Sequence, residues 1–407
     1  MRVLLLHMRF HPDVTGTAPL VTALATDLVK KGIEVIVIAS QPHYGGSIPS
    51  KPGGVWLEKS VYEGVQLYRT RVRIPRNAGQ LERSLNYLSY NLLCTFAAMT
   101  GRSCDVCLCI SPPITVGMTG ILVRHLRRTP LVFVVQDIWP DCLAAVGQLK
   151  SKWLLHVLQQ VERLIYREAA RLVVVSRGMK DYLVEQGVPA RKVAVISNWA
   201  DVDEIKPLPK NNGFRKRYGL GEDFVILFAG NIGFNSELEF VVDAAERLKT
   251  HPSIRILIVG EGNAKPALLQ RAERLGVKNL QFLPRQPQEV VVHMLSACDL
   301  GLVTLNGKLG RLNVPSKTYP IMASARPVLA SVGEDSEVYR LIQEADCGFW
   351  VPPGDSGALA DAIARLSEQP DRLQSAGWNG REYVERYCNR ARGVEEYLDL
   401  LEEVSGT

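Results

Sequence analysis

The feature that most constrains this chain is a regular alternation of short apolar runs with segments of helical periodicity, and it occurs twice. The first series contains the runs "RVLLL", "IEVIVIAS", "VCLCI", "PLVFVV", "RLVVVS" and "KVAVIS", and the second contains "FVILFAG", "IRILIVG", "LQFLP", "LGLVTL" and "RPVLAS". Apolar runs of this length indicate strands that are buried on both faces, and strands that alternate with helices indicate parallel sheets. The sequence therefore predicts an α/β fold with two doubly wound parallel sheets.

One polar segment separates the two series. "NWADVDEIKPLPKNNGFRKRYGLGED" is rich in Pro, Gly, Asn and charged residues, which is typical of a linker. A chain of 407 residues is also too long for a single core. We predict an N-terminal domain over 1–200, a linker over 201–222, a C-terminal domain over 223–380, and a final helix over 381–407 that packs back on the first domain.

Charge and cysteine usage limit the partners and the compartment. Residues 1–200 carry a net charge of +11 and residues 201–407 a net charge of −5, so the first domain is expected to meet an anionic partner. Nucleic acid, a membrane surface and a phosphorylated substrate all remain open at this point. The C-x-x-C segment "CDVC" continues as a strand, which favours buried structural thiols over a redox motif. With no signal-peptide pattern, we expect a cytoplasmic location.

An uncharged segment over residues 84–101, "SLNYLSYNLLCTFAAMTG", has several polar side chains and is therefore too polar for a membrane span. It is predicted to form either a packed helix or an interfacial helix at an anionic membrane. The second alternative depends on four arginines just upstream, Arg69, Arg71, Arg73 and Arg76.

Candidate site residues follow the predicted strands, because ligands in open α/β sheets bind beyond the carboxyl ends of the strands. Gly16 follows the first strand, where its backbone could approach a phosphate, although an ordinary turn also explains it. Gly230 and Gly233 in "GNIG" form a second such turn. The chain lacks G-x-G-x-x-G at the first turn, which argues against a nicotinamide site. Asp137 ends "PLVFVVQD" and could orient a hydroxyl or act as its base, or it could cap the next helix.

The segment "GRLNVPSKTYPIMASARPV" at 310–328 contains no carboxylate. Ser316 is predicted to cap a helix with Lys317 in its first turn. The ammonium, the hydroxyl and the free backbone N–H groups would then converge on one phosphate. Arg285 and Arg311 are candidate second cations. The alternative is a lysine that only solvates an exposed helix start.

Several motifs together resemble glycosyltransferase family 4, whose GT-B fold has two Rossmann-like domains facing a cleft. They are "HPDVTGTAPLVTALATDLVKKGIEVIVIA", "FAGNIG", "VGEG", "RPVLAS" and "CGFWVPPGD", in the family's order. "VVQDIWPD" and "VPSKTYPIMAS" are similar to the bacterial surface-polysaccharide members of the colanic-acid and O-antigen type.

This resemblance implies retaining, metal-independent transfer from a UDP- or GDP-sugar, without a further cofactor. The acceptor would be a hydroxyl of a polyprenyl-diphosphate-linked saccharide at the inner face of the cell membrane, where the protein would be peripheral, and no nucleic acid partner is expected. The implied catalytic residues are Asp137 and Lys317. The implied donor-binding residues are Gly16, Thr17, Gly230, Asn231, Gly233, Glu261, Arg285, Arg311, Ser316 and Glu337. Glu261 also has a loop-capping alternative.

The sequence departs from the family pattern at five positions. Leu312 and Pro320 stand where the family has two glutamates, Asn231 and Ser236 where it has Arg and Lys, and Gln136 where it has a histidine. These departures leave two alternatives open. One is a catalytically silent homologue that binds a nucleotide sugar or a partner enzyme, and the other is a nucleotide-sugar epimerase.

Overall fold

A computed structural model of the chain describes residues 1–14, 16–42, 56–73 and 80–406. The chain divides into two compact units. Unit 1 comprises Met1–Ala144, Leu149–Ser197 and Ala391–Thr407, and unit 2 comprises Ala145–Gln148 and Asn198–Arg390.

The sheet of unit 1 is parallel apart from one edge. Its strands are β1 (Arg2–Leu6), β2 (Glu34–Ser40), β3 (Leu57–Tyr62), β4 (Val65–Thr70), β5 (Val106–Ile110), β6 (Leu131–Val135), β7 (Arg171–Val174) and β8 (Val193–Val195). They lie in the order β3-β4-β2-β1-β5-β6-β7-β8. In the middle of the sheet, Leu5 lies between Val37 and Leu108, and all three are buried. This burial on both faces explains the continuous apolar runs.

Helices cover this sheet. They are α1 (Ala18–Lys30), α2 (Gln80–Thr100), α3 (Val116–Arg127), α4 (Asp141–Ala145), α5 (Lys152–Glu168) and α6 (Arg177–Glu185). Local sequence fixes several starts: the Ser151 hydroxyl accepts the N–H of Leu154 at 3.3 Å, and that of Ser176 accepts the N–H of Met179 at 3.1 Å. Such caps satisfy backbone donors that the first turn leaves without partners.

The sheet of unit 2 is fully parallel. Its strands are β9 (Phe224–Ala229), β10 (Ile254–Val259), β11 (Leu280–Leu283), β12 (Leu300–Thr304), β13 (Val328–Ser331) and β14 (Gly348–Val351), in the order β11-β10-β9-β12-β13-β14. Its helices are α7 (Gly213–Tyr218), α8 (Glu239–Arg247), α9 (Lys265–Leu275), α10 (Gln288–Ser296), α11 (Thr318–Ala323), α12 (Glu337–Ala345), α13 (Ser356–Ser367) and α14 (Pro370–Tyr387). Ile226, Phe228 and Leu302 are among the buried residues of its core. The predicted α/β class with two doubly wound sheets is confirmed.

The end of the chain forms two helices where one was predicted. After α14, Ala200 exchanges backbone hydrogen bonds with Cys388 and Arg390, and this short pairing interrupts the helical course. The next helix, α15 (Arg390–Ser405), belongs mainly to unit 1, where Glu395 pairs with Lys31.

Two further segments differ from a simple strand–helix alternation. β3 and β4 form an antiparallel hairpin that the sequence analysis did not predict, because β3 is an exposed edge strand without an apolar run. The segment 201–222 lies in unit 2 and is anchored there. The buried guanidinium of Arg215 donates to the carbonyl of Ala297 at 2.8 Å and pairs with Asp299 at 2.9 Å.

Helix α2 was predicted to be either a packed or an interfacial helix, and it packs against the protein on one face only. Tyr90 is fully buried and donates to the carbonyl of Ile38 at 3.0 Å. On the opposite face Leu88, Leu92 and Phe96 are 55%, 64% and 62% exposed. Among the residues described, no helix combines the length and the apolarity needed to cross a bilayer.

Candidate functional site

Two glycine-containing loops pack backbone against backbone at the carboxyl edge of the unit 2 sheet. The N–H of Ile232, after β9, donates to the carbonyl of Glu261, after β10, at 3.0 Å. A Cβ on Gly260 would lie 1.9 Å from the carbonyl oxygen of Gly230, and Gly260 has a φ of 150°. Only glycine fits this contact. The predicted residues Gly230 and Glu261 are therefore neighbours at one site.

Lys317 lies against the first of these loops. Its ammonium is 3.4 Å from the centre of the Phe228 ring, and a Cβ on Gly230 would lie 3.1 Å from the same nitrogen. The side chain is partly exposed, and desolvation of its ammonium by the neighbouring protein atoms lowers its pKa to about 7. Within the described part of the chain, the ammonium has no hydrogen-bond or ion-pair partner. A cation without a protein partner beside a glycine turn is suited to an anionic ligand.

The predicted cap of this helix is wrong. Lys317 itself is the N-cap residue of α11, and Ser316 is exposed and caps no backbone N–H group. The chain already turns before the helix, since the Thr318 hydroxyl and N–H both donate to the carbonyl of Pro315. The Ser316 side chain is therefore one position too early to act as a cap. Lys317 still lies at the helix entrance.

A second cation at this edge is Lys265, which the sequence analysis missed. Its ammonium donates to the carbonyl of Gly260 at 2.9 Å and pairs with Glu261 at 2.8 Å. Glu261 is exposed and bound to this lysine, which supports the loop-capping alternative. The signal in the sequence was the i,i+4 spacing of Glu261 and Lys265 at the start of α9.

The remaining predicted donor residues of this loop have local structural roles. Gly233 is buried, and a Cβ there would lie 2.8 Å from the side-chain nitrogen of the exposed Asn231. The buried Ser236 hydroxyl donates to the carbonyl of Asn231 at 3.4 Å. These contacts fold the loop onto itself.

Arg285 and Arg311 also follow strands of unit 2, and both are partly buried. Arg285 comes after β11, whose Leu283 carbonyl accepts the N–H of Gly260 at 3.1 Å. Arg311 lies in the 3-10 turn Gly310–Leu312, after β12. Both arginines are therefore on loops at the same sheet edge as Lys317.

Glu337 is engaged by another residue. It begins α12, its side chain is 2% exposed, and both of its oxygens contact the guanidinium of Arg340. Ser336 caps the same helix by accepting the N–H of Tyr339 at 3.2 Å. The sequence pattern could not show that a partner one turn further along the helix binds this carboxylate.

In unit 1, Gly16 and Thr17 lie beside two residues that the sequence analysis missed. His7 is buried, and desolvation lowers its pKa to about 4, so its ring is neutral at pH 7. Its Nδ1 donates to the carbonyl of Ile110 at 2.9 Å, so Nε2 accepts a hydrogen bond from the Thr17 hydroxyl at 2.9 Å. A Cβ on Gly16, whose φ is 60°, would lie 3.0 Å from the Arg9 guanidinium. Gly16 therefore leaves room for a cation at the end of β1.

Asp137 lies two strands from β1, just after β6, and its side chain is partly exposed. Its charge contributes to the raised pKa of the Cys142 thiol, although desolvation is the larger cause. Asp141 has a structural role. It begins α4, and its two oxygens accept hydrogen bonds from Gln159 at 2.7 Å and Tyr182 at 2.6 Å. The structure therefore assigns Asp141 a structural role at the start of α4.

The comparisons with known proteins agree for both units. Residues 15–199 match the model of the glycosyl transferase 4-like domain, and residues 223–369 match that of the glycosyl transferases group 1. The probable glycosyltransferase WbjE of Pseudomonas aeruginosa is 31% identical over 298 residues, which cover 73% of this chain and 74% of that protein. This chain belongs to the glycosyltransferase 4-like family. The resemblance to the GT-B glycosyltransferases that the sequence motifs indicated is confirmed.

One further relative and one solved structure extend the comparison over almost the whole chain. The putative colanic acid biosynthesis glycosyl transferase WcaI of Escherichia coli K12 is 24% identical over 98% of this chain and 99% of its own length. HepE of Anabaena, solved in complex with UDP, has a TM-score of 0.73, with 18% identity over 99% of this chain and 100% of HepE. At this identity the second likeness shows the fold alone.

This glycosyltransferase has no group of three or more His, Cys, Asp or Glu side chains suited to a metal ion in the part of the chain that the structure describes. The D-x-D segment at 201–203 forms a turn. Asp201 accepts the N–H groups of Asp203 and Glu204 and pairs with Arg390 at 2.8 Å.

Three of the four arginines predicted to face a membrane lie among the described residues, and they differ in their surroundings. Arg69 is partly buried and donates to the carbonyls of Ser40 and His11, so it is a structural residue. Arg73 pairs with Glu82 at 3.0 Å. Arg71 is exposed, and Arg76 lies outside the described residues. The prediction is therefore wrong for Arg69, because the fold directs its guanidinium to backbone carbonyls.

Proposed function

We propose that this glycosyltransferase transfers a sugar from a nucleoside diphosphate sugar to a hydroxyl of a saccharide acceptor during the synthesis of a bacterial surface polysaccharide. The observation that carries the proposal is the ammonium of Lys317, which has no described partner and lies at 3.4 Å from the Phe228 ring centre, against the glycine turn at Gly230. A UDP- or GDP-sugar would supply the diphosphate that this cation lacks. The UDP complex of HepE supports a nucleotide donor, and the name of WcaI supports the polysaccharide.

In the proposed reaction, the acceptor hydroxyl forms a bond to the anomeric carbon as the bond from that carbon to the diphosphate breaks. Lys317 stabilises the negative charge that develops on the leaving diphosphate, a type of contribution that is usually large. Asp137 orients the acceptor hydroxyl, whose proton passes either to Asp137 or to an oxygen of the leaving diphosphate. Transfer is retaining and needs no metal ion, in line with the family resemblance. The nucleotide sugar is a substrate, and no further cofactor takes part.

A thermal-shift panel of UDP-, GDP-, dTDP- and ADP-sugars tests donor binding, since a ligand that binds only the folded state must stabilise it. Release of nucleoside diphosphate from the stabilising donor then tests for transfer chemistry. Lys317→Ala should lower kcat/KM by about a hundredfold, equivalent to about 3 kcal/mol, with the fold intact. Binding without release would favour a silent homologue, which the replaced cations at Asn231 and Ser236 also suggest. Conversion of the donor sugar without transfer would favour an epimerase.

We further propose that the acceptor is a polyprenyl-diphosphate-linked saccharide and that the protein is peripheral at the cytoplasmic face of the membrane. The support is the apolar face of α2, formed by Leu88, Leu92 and Phe96, which repeats every fourth residue and is more than half exposed. Exposed apolar side chains at helical spacing, close to basic residues, are typical of interfacial helices. Arg71 is an exposed cation upstream of this helix.

Sedimentation with vesicles that contain anionic lipid tests this second proposal. A variant with Leu88, Leu92 and Phe96 changed to serine should remain in the supernatant, whereas the parent sediments. The matched control is Leu269→Ser on α9 of unit 2, which removes a side chain that is 44% exposed. Arg71→Ala should weaken sedimentation mainly at low salt, because screening limits exposed charges. If the triple variant sediments like the parent, the apolar face is not the membrane contact.

A further inference from the structure

Glu237 has a backbone conformation that is unfavourable for its residue type. Its φ of 43° and ψ of 53° lie in the left-handed region, directly after the 3-10 turn Phe234–Ser236. A residue with a Cβ is strained there, whereas glycine is not. Strained residues of this kind are concentrated at binding sites. A turn alone would favour glycine at this position, so we expect a role for the Glu237 side chain.

Other non-glycine residues of the described chain with positive φ end or connect regular elements. They are Glu63 between β3 and β4, Arg128 after α3, Ala325 after α11 and Asp346 after α12. Glu237 also connects two elements, the 3-10 turn and α8, but it differs from them in its location. It ends the loop that begins at Gly230, at the carboxyl edge of the unit 2 sheet.

A buried asparagine holds the Glu237 carboxylate in place. Asn306, which is 9% exposed, donates its side-chain N–H to Oε1 of Glu237. Its backbone N–H donates to the carbonyl of Asn235 at 2.8 Å, and its side-chain oxygen accepts the N–H of Lys308 at 2.9 Å. Asn306 is thus fixed from three sides, and it fixes the carboxylate in turn. Oε2 of Glu237 accepts no hydrogen bond from any residue that the structure describes.

The loop from Gly230 to Glu237 has opposite charges at its two ends. Lys317 places a cation beside Gly230, and Glu237 places a carboxylate at the other end. Hydrogen bonds from Ser236 to the carbonyls of Asn231 and Gly233 hold the loop in a compact shape. A diphosphate would be repelled by the carboxylate, but sugar hydroxyls are donors that a carboxylate accepts well. The two ends therefore match the two parts of a sugar nucleotide.

We infer that Glu237 determines specificity for the donor sugar: its carboxylate accepts hydrogen bonds from hydroxyls of a neutral sugar while Lys317 contacts the diphosphate. This inference rests on the proposed function and adds the sugar class to it. A sugar that carries its own carboxylate, such as a uronic acid, would be repelled by Glu237. We therefore exclude uronic acids as the donor sugar.

The test compares the affinity for a sugar nucleotide with that for the same nucleoside diphosphate without its sugar. Titration calorimetry would use UDP, GDP, dTDP and ADP, followed by the neutral sugar conjugates of the one that binds. Glu237→Gln should weaken binding of the sugar nucleotide about tenfold, because one hydrogen bond to a charged group is lost. The affinity for the nucleoside diphosphate alone should change less than twofold. If UDP is the nucleotide bound, the variant should also show a smaller difference in affinity between UDP-glucose and UDP-glucuronic acid than the parent does.

Glu239→Gln is the matched control. It removes the same charge two residues further on, from an exposed side chain at the start of α8, and should leave all these affinities unchanged. Glu237→Gly relieves the backbone strain and should show the same selective loss, which separates the side-chain effect from misfolding. Equal weakening of both ligands, or none, would overturn the inference while the proposed function stands. If the parent binds no nucleoside diphosphate, the proposed function fails, and this inference fails with it.

Discussion

Replacement of Lys317 by methionine gives the sharpest test of the candidate site, because it should stabilise the free protein and impair its function. The lysine ammonium lies on the Phe228 ring without a described partner, and desolvation lowers its pKa from 10.5 to about 7. Methionine has a similar length, an apolar tip and favourable contacts with aromatic rings. Lys317→Met therefore removes an unfavourable, partly desolvated amine at little steric cost.

The size of the effect follows from the pKa. A fall from 10.5 to about 7 corresponds to an upper limit of about 5 kcal/mol. Between pH 7 and 10.5 the unfolded chain holds a proton on Lys317 that the folded chain lacks, so the parent's free energy of unfolding rises with pH in this window. Because the side chain is partly exposed, we expect Lys317→Met to gain about 1–3 kcal/mol at pH 7 and progressively less towards pH 10.5.

Donor affinity should show the opposite dependence on pH. A diphosphate interacts strongly only with the protonated lysine, which is a minor species in the free protein above pH 7. The parent's affinity for its nucleoside diphosphate should therefore fall by up to about tenfold per pH unit above pH 7. Lys317→Met should bind more weakly than the parent at pH 7, with little change from pH 7 to pH 9.

Differential scanning calorimetry and titration calorimetry at pH 7, 8 and 9 measure both effects. Lys216→Met, on the exposed side of α7 in the same unit, is the matched control and should change neither. A Lys317→Met protein that melts at or below the parent's temperature would refute the assigned desolvation. If the parent's affinity for the donor does not change between pH 7 and pH 9, Lys317 does not contact the diphosphate, whatever the result of the scanning calorimetry.

Three further changes and one control substitution test other parts of the structure. Asp137→Asn should keep donor binding and lose transfer, which single-turnover assays with a saccharide acceptor would show, because a carboxylate at the reacting centre matters chiefly in the transition state. Gly260→Ala should destabilise unit 2 by about 2–4 kcal/mol in denaturant titration, since its Cβ would lie 1.9 Å from the Gly230 carbonyl oxygen. Gly213→Ala, which meets no atom within 4 Å, should be nearly neutral. Glu162→Gln should stabilise the protein at pH 8 but not at pH 4. Burial raises the pKa of Glu162 from 4.5 to about 8, so the parent loses stability as the pH rises through this range. An equal gain in stability at both pH values would contradict this assignment.

The parts of the fold that depend on local pattern could be predicted from the sequence. Strands buried on both faces must be apolar throughout, so β1, β6 and β9 were visible as runs. The edge hairpin of β3 and β4 was missed for the same reason, since an exposed edge strand needs no such run. The break between α14 and α15 was missed because it coincides with backbone hydrogen bonds to Ala200, which is distant in sequence.

For the candidate site, the sequence located the loops but not the partners of their side chains. Lys317 was identified from its place at a helix entrance, yet the assigned cap at Ser316 was wrong because the preceding turn shifts the start of the helix. Arg69 was expected at a surface, but the fold directs it to backbone carbonyls.

The sequence by itself determined the α/β class, the two series of strands and the sheet edge at which each candidate residue lies, because alternation and strand order depend on local hydrophobicity and chain connectivity. Only the tertiary structure decided which charges are free to meet a ligand. Glu337 is bound by Arg340 and Glu261 by Lys265, while the Lys317 ammonium lies against an aromatic ring and a glycine turn and has no ion-pair partner among the residues that the structure describes. The free energy of a charged group depends on the atoms that surround it in space, and those atoms come from segments that sequence spacing does not relate.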